Sequence, residues 1–180
     1  VIASGHTLQV PVGMSLLGRT IDATGRACDG LGEISPEKYY PAINVAPDPM
    51  KKLPVNRRII TGVIAIDGLL TIGKGQRIGI FAGSGVGKST LLSMIARSSN
   101  ADINVIGLIG ERGREVLDFI KRDLGEEGLK RSVVVVATGD QPAIARVRAA
   151  YVTTAIAEYF RDLGKDVVLM MDNVTRFAKA

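Results

Sequence analysis

Runs of apolar residues punctuate the second half of the chain, and between them the apolar positions change period. Arg77–Ala82, Ile103–Ile109, Val133–Thr138 and Val167–Met171 read as strands, the second of them nearly all apolar. Between these runs the spacing becomes helical. Gly87–Arg97 puts Leu91, Leu92, Ile95 and Ala96 on one face. Arg114–Leu124 turns Val116, Leu117, Ile120 and Leu124 inward, with Gly125 as its stop. Pro142–Leu163 is a long helix, with Pro142 suited to the first turn and Gly164 to the end. Continuous apolar strands alternating with helices are buried on both faces, so the pattern predicts an α/β fold with a mostly parallel sheet between two helical layers.

The first third is different. Thr7–Val12 and Ser15–Asp22 carry β-formers interrupted at Gly13, Gly18, Gly25 and Gly30, which reads as part of a small β unit. Thirty residues are too few for such a unit to stand alone, so residues 1–30 read as the end of an N-terminal β-barrel. Five of the seven prolines then fall between Pro36 and Pro54. Proline is excluded from helix interiors and central strands, so residues 31–58 read as an extended connector wrapping a surface. Residues 59–180 form the α/β core. A start at Val1 rather than Met suggests part of a longer chain.

Composition narrows the possibilities without deciding among them. A hydrophobic fraction of 46% in 180 residues suits a globular domain. The formal charge of +5 would suit phosphates, nucleic acid or an anionic surface. The basic residues are interspersed with acidic ones, however, as in Glu126-Glu127 followed by Lys130-Arg131, which argues for a solvated face rather than a nucleic-acid patch. The single cysteine, Cys28, fits a reducing cytosolic setting and reads as a small buried hydrophobe. With His6 as the only histidine, a zinc site of the usual kind is excluded. No apolar run is long enough to span a bilayer, and no signal peptide stands at the front.

The candidate chemistry is concentrated in Ile80-Phe-Ala-Gly-Ser-Gly-Val-Gly-Lys-Ser-Thr90. It fits the phosphate-loop pattern G-x-x-x-x-G-K-[ST], with Ala82 in place of the first glycine. Gly83, Gly85 and Gly87 free the backbone to turn its N–H groups inward, with Ser84 and Val86 between them. The following helix N-terminus adds partial positive charge. Lys88 is suited to the β- and γ-phosphates of ATP, Ser89 to Mg²⁺, and Thr90 closes the loop. A dinucleotide-binding loop would place glycine where Lys88 stands.

Two acidic residues end strands downstream. Asp172 closes Val167–Met171 and has the form of a Walker B carboxylate, which holds the Mg²⁺ shell. Glu111 follows Ile103–Ile109 and is placed to polarise an attacking water. In open α/β sheets ligands sit beyond the carboxyl ends of strands, where both acids fall. Arg112, Arg114 or Arg176 would balance phosphate charge there; each taken singly fits a surface salt bridge equally well.

Phe81–Leu92, Gly110-Glu-Arg-Gly-Arg-Glu115 and Leu169-Met-Met-Asp-Asn-Val-Thr-Arg-Phe-Ala178 together resemble the flagellar protein-export ATPases. These are relatives of the rotary ATP synthase β subunit and of the type III secretion (injectisome) ATPases. The resemblance also covers Val12-Gly13, Leu17-Gly-Arg19, Asp29-Gly30, Thr61-Gly62 and Ala65–Leu70. It implies a RecA-like core, phosphate and Mg²⁺ contacts from Lys88 and Ser89, Glu111 as catalytic carboxylate, Arg112 near the γ-phosphate and Asp172 as Walker B acid. It implies a cytoplasmic ring hexamer, peripheral to the inner face of the membrane. Its partners would be export-gate membrane proteins, a stalk protein, a negative regulator, and exported flagellar proteins with their chaperones. It further implies a core strand, lying beyond Ala180, between the phosphate-loop strand and the Walker B strand. Injectisome service, a rotary synthase catalytic subunit and a non-catalytic nucleotide-binding assembly subunit are the alternatives, the last disfavoured by Glu111. A ring helicase related to terminator Rho would need stacking aromatics, and residues 1–30 carry none.

Overall fold

In the computed structural model, which describes residues 7–52, 54–83 and 85–180, the sheet is built from segments far apart in sequence. The strands are β1 (Gln9–Val12), β2 (Thr20–Asp22), β3 (Lys38–Pro41), β4 (Arg58–Ile59), β5 (Ile72–Gly73), β6 (Ile103–Ile109), β7 (Ser132–Ala137) and β8 (Val167–Asp172). The helices are α1 (Ile64–Leu69), α2 (Lys88–Ser98), α3 (Gly113–Asp118), α4 (Gly125–Lys130), α5 (Ala143–Asp162) and α6 (Val174–Ala178). Four strands, in the order β2-β7-β6-β8, form a wholly parallel sheet.

Side chains alternate across β6 and β7, and this alternation creates two cores. Ile103, Val105, Ile109, Val133, Val135 and Ala137 face α5, where Val152, Ile156 and Phe160 are buried. Ile106, Leu108 and Val134 face the opposite layer, meeting Leu92, Ile95 and Ala96 of α2 and Val116 of α3. Both faces of the central strands are therefore covered, as their unbroken apolar runs require.

Three expectations need correction. Residues 77–82 form no strand: the order of the sheet ends at β8, and no described strand lies beside 77–82 to ladder with it. Ile78 and Phe81 face out, Phe81 being 96% exposed, while Ile80 packs against the core beneath α2. The second helix ends at Gly125 as expected, but its inward face differs. After α3 the chain widens into π-helical turns over Phe119–Leu124, and Gly125, at φ +66°, opens α4. Leu117, expected inward, is exposed, and Phe119 is buried. Cys28 is exposed rather than buried, on the turn that follows β2.

Among residues 7–30 the two strands join different neighbours. β2 lies in the main sheet, paired in parallel with β7 from Thr20↔Val134 to Asp22↔Val136. Arg19 and Asp29 lock this insertion: Arg19 Nε donates to Asp29 Oδ2 at 2.7 Å and Nη2 to Oδ1 at 2.9 Å. β1 pairs antiparallel with β3 of the proline-rich segment, and both lie on α5. Tyr159 of α5 donates its hydroxyl to Glu37 Oε2 at 2.8 Å, and Tyr40 donates to Asp162 Oδ2 at 3.1 Å. Burial and the Glu37 carboxylate push the Tyr159 hydroxyl up to about 12. His6 lies outside the described residues. Among those described, no helix is long and apolar enough to cross a membrane.

Candidate nucleotide site

The carboxyl ends of β6 and β8 lie side by side, since Leu108 pairs with Asp172. Whatever follows these two strands is delivered to one place. Beyond β6 come Gly110 and Glu111; at the end of β8 come Asp172 and Asn173. The amino end of α2, carrying Lys88 and Ser89, reaches the same edge.

Lys88 Nζ stands 2.7 Å from Asp172 Oδ1, and the Ser89 hydroxyl donates to Asp172 Oδ2 at 3.5 Å. Asp172 is only 3% exposed, and Oδ1 meets the Lys88 charge without any other hydrogen bond. Gly85 and Gly87 take positive φ, +77° and +94°, and Gly87 caps α2. The loop is exposed: a Cβ placed on Gly83, Gly85 or Gly87 would meet nothing within 4 Å. Val86 and Thr90 also face outward, and Ser84 lies outside the described residues. The sequence thus brings Lys88, Ser89 and Asp172 together across 83 residues of chain.

Glu111 is held from the β8 side. Asn173 Nδ2 donates to Glu111 Oε1 at 3.1 Å, and Arg176 Nη1 lies 3.1 Å from Oε2. Arg176 also donates to the Gly110 carbonyl. Gly110 has φ +74°, and a Cβ there would come within 2.7 Å of Arg176 Cδ, so any larger residue would be strained and would displace the arginine. Burial pushes the Glu111 carboxyl up. A hydrogen bond shared with Glu115 and the Asp172 charge add to this, and Arg176 opposes it. Glu115 moves the other way, held down chiefly by that shared bond.

Arg112 is placed differently from the other site residues. Its side chain is 83% exposed and pairs with Glu115 at 3.3 Å. Of the three arginines open at the sequence level, Arg176 is the one that meets Glu111. Asn173 is not singled out by the sequence. It caps α6, its Oδ1 accepting the Arg176 N–H at 2.7 Å. The signal was present: an Asn at a strand end followed by an amphipathic turn.

A parallel α/β sheet with a glycine-rich loop opening a helix, its lysine meeting a carboxylate at a strand end, defines a P-loop nucleotide-binding domain. Residues 62–180 match the ATP synthase alpha/beta family, nucleotide-binding domain. The chain belongs to that family. It is 59% identical over 180 residues to a flagellum-specific ATP synthase of Treponema pallidum, covering 100% of this chain and 40% of that protein. Against a type 3 secretion system ATPase of Xanthomonas euvesicatoria it is 57% identical over 180 residues, covering 100% of this chain and 41% of that protein. A solved structure, the assembled ATPase EscN in complex with its central stalk EscO from enteropathogenic E. coli, superposes with a TM-score of 0.90 at 51% identity. It covers 96% of this chain and 42% of that one. The chain therefore spans about two fifths of the length of these relatives.

Proposed function

We propose that the intact protein containing this chain hydrolyses Mg-ATP to ADP and phosphate at this site, and that the energy drives flagellar type III protein export. The observation that carries the reading is the meeting of Lys88, Ser89 and Asp172 beside Glu111 at one sheet edge. The phosphate loop, Gly83 to Thr90 with Ser84 and Val86, receives the triphosphate through backbone N–H groups, and Lys88 turns from Asp172 to the β- and γ-phosphates.

The residues fit Mg²⁺. A buried carboxylate oxygen whose one partner is Lys88, and a hydroxyl on the same carboxylate, are the hard oxygen donors this ion takes, alongside water and phosphate. Ser89 and Asp172 would hold it. Bound there, the ion neutralises charge on the phosphate oxygens. Glu111 accepts a hydrogen bond from the attacking water and aligns it, and Arg112 approaches the γ-phosphate from the exposed side.

Six copies form a ring with ATP at the subunit boundaries. The ring works in the cytoplasm against the inner face of the membrane, with a stalk protein, a negative regulator, export-gate proteins, and exported flagellar proteins with their chaperones. Nucleic acid has no part in it. Similarity to assembled EscN with its stalk supports the ring and the stalk partner. Injectisome secretion is the second reading, favoured by the 57% identity to a type 3 secretion ATPase.

The test is a chromosomal Lys88→Ala replacement. The expected outcome is normal protein level, loss of secreted flagellar subunits and loss of motility. Intact flagellar export with loss of secreted effectors would move the assignment to the injectisome; export unchanged in both systems would contradict the ATPase reading.

A further inference from the structure

Asn173 uses the two ends of its amide for two purposes. Oδ1 accepts the Arg176 N–H at 2.7 Å and starts α6, while Nδ2 donates to Glu111 Oε1 at 3.1 Å. We propose that Asn173 is a positioning residue that aims the Glu111 carboxylate, with α6 as its support. The inference rests on the hydrolytic reading above and deepens it.

A glutamate side chain has three rotatable bonds, so a contact to one oxygen leaves the carboxylate free to swing. Here both oxygens are taken from one short segment, Oε1 by the cap residue Asn173 and Oε2 by Arg176 of α6 at 3.1 Å. Two donors fix the plane of the carboxylate as well as its position. Arg176 is itself fixed by the Gly110 carbonyl, next to Glu111 in sequence. Asn173 directly follows Asp172, so the metal-side carboxylate and the water-side carboxylate are registered to each other through one peptide unit.

The residue type is informative. Aspartate caps a helix as well as asparagine does, so α6 alone does not require an amide. The charged groups around Glu111 are Asp172 on β8, Arg176 on α6, and Arg112 and Glu115 at the start of α3. An acid at 173 would repel Glu111, and a second cation would hold its charge too tightly for it to accept a hydrogen bond from water. A neutral donor orients the carboxylate without doing either.

Asn173→Ser and Asn173→Asp, made in the intact protein, both keep an oxygen for the cap and lose the amide donor. For Asn173→Ser the account expects a fluorescent ATP analogue to bind within about threefold of wild type and KM to be unchanged. It expects kcat to fall about 10- to 100-fold, the cost of misplacing a reacting group by a fraction of its contact distance. Added to Glu111→Gln, Asn173→Ser should lower kcat no further. A readout independent of turnover is thermal stability. Asn173→Asp should lower Tm through repulsion of Glu111, and Glu111→Gln should restore it. Wild-type kcat in Asn173→Ser, a raised KM with unchanged kcat, or a Tm loss that Glu111→Gln leaves in place would each overturn the proposal. If Glu111→Gln alone turns over like wild type, the hydrolytic reading fails first, and the two failures are distinguishable.

Discussion

In the proposed mechanism Glu111 carries most of the residue-scale chemistry, and its environment makes its behaviour predictable. Burial and Glu115 both raise its carboxyl. A general base works only when ionised, so hydrolysis should fall on acidification at a pH above the ordinary glutamate range near 4.3. Removing the Glu115 carboxyl takes away one of the raising influences. Glu115→Ala should therefore move the acid limb of the kcat profile to lower pH, and a shift to higher pH would contradict the assignment. Gly110 offers a second test. Gly110→Ala would force a Cβ into a left-handed backbone and against Arg176, costing about 1–2 kcal/mol and displacing the arginine from Glu111. Urea unfolding checks the first and kcat the second. The glycines, lysine and acids of the site were legible in the sequence because each residue type has few substitutes for its task. Asn173 was not legible, because its role depends on which side chain the fold places opposite it.

At the scale of elements, the strands beneath the site follow from the apolar runs, and the exceptions have local causes. Ile103–Ile109 coincides with β6, Val133–Thr138 is shifted one residue from β7, and Val167–Met171 is one residue short of β8. Boundaries at this level depend on which backbone groups find partners, which a residue pattern does not specify. The π-helical turns over Phe119–Leu124 were illegible because a wider turn leaves no composition signal of its own. The insertion of β2 beside β7 was also missed, since a three-residue strand has no period to read. Its lock at Arg19 and Asp29 is testable. The Arg19 hydrogen bond holds the Asp29 carboxyl well below the usual carboxylate range, with backbone N–H groups of Thr20 and Leu31 adding to it. A depressed carboxyl stabilises the fold above its unfolded value near 3.9, and that contribution fades as pH falls through the folded value. Asp29→Asn should thus cost about 1.5–3 kcal/mol at pH 7, by the worth of hydrogen bonds to a charged group. The gap from wild type should narrow in strong acid. Thermal melts across pH check this; a gap constant with pH would contradict it.

On the scale of the molecule, the phosphate loop is the least supported part of the site. Residues 77–82 pair with no described strand, while Ile64, Leu69, Leu70, Ile78 and Phe81 expose apolar surface. An apolar patch of this kind is ordinarily covered. The strand expected at 77–82 is sound as a pattern, but a strand needs a neighbour, and the pattern says nothing about who supplies it. The 180 residues alone should therefore hydrolyse Mg-ATP far more slowly than the intact protein. Comparable rates per site would contradict that account.

The central claim is that the phosphate loop, Asp172 and Glu111 make one hydrolytic centre. Its most direct test is Mg-ATP hydrolysis by the intact protein, wild type beside Glu111→Gln, with ATP binding measured on both. Removing an oriented general base costs about 10²- to 10⁴-fold. The account predicts that both proteins bind ATP and that only the wild type turns over. Equal turnover by the two, or binding without turnover by either, would contradict it.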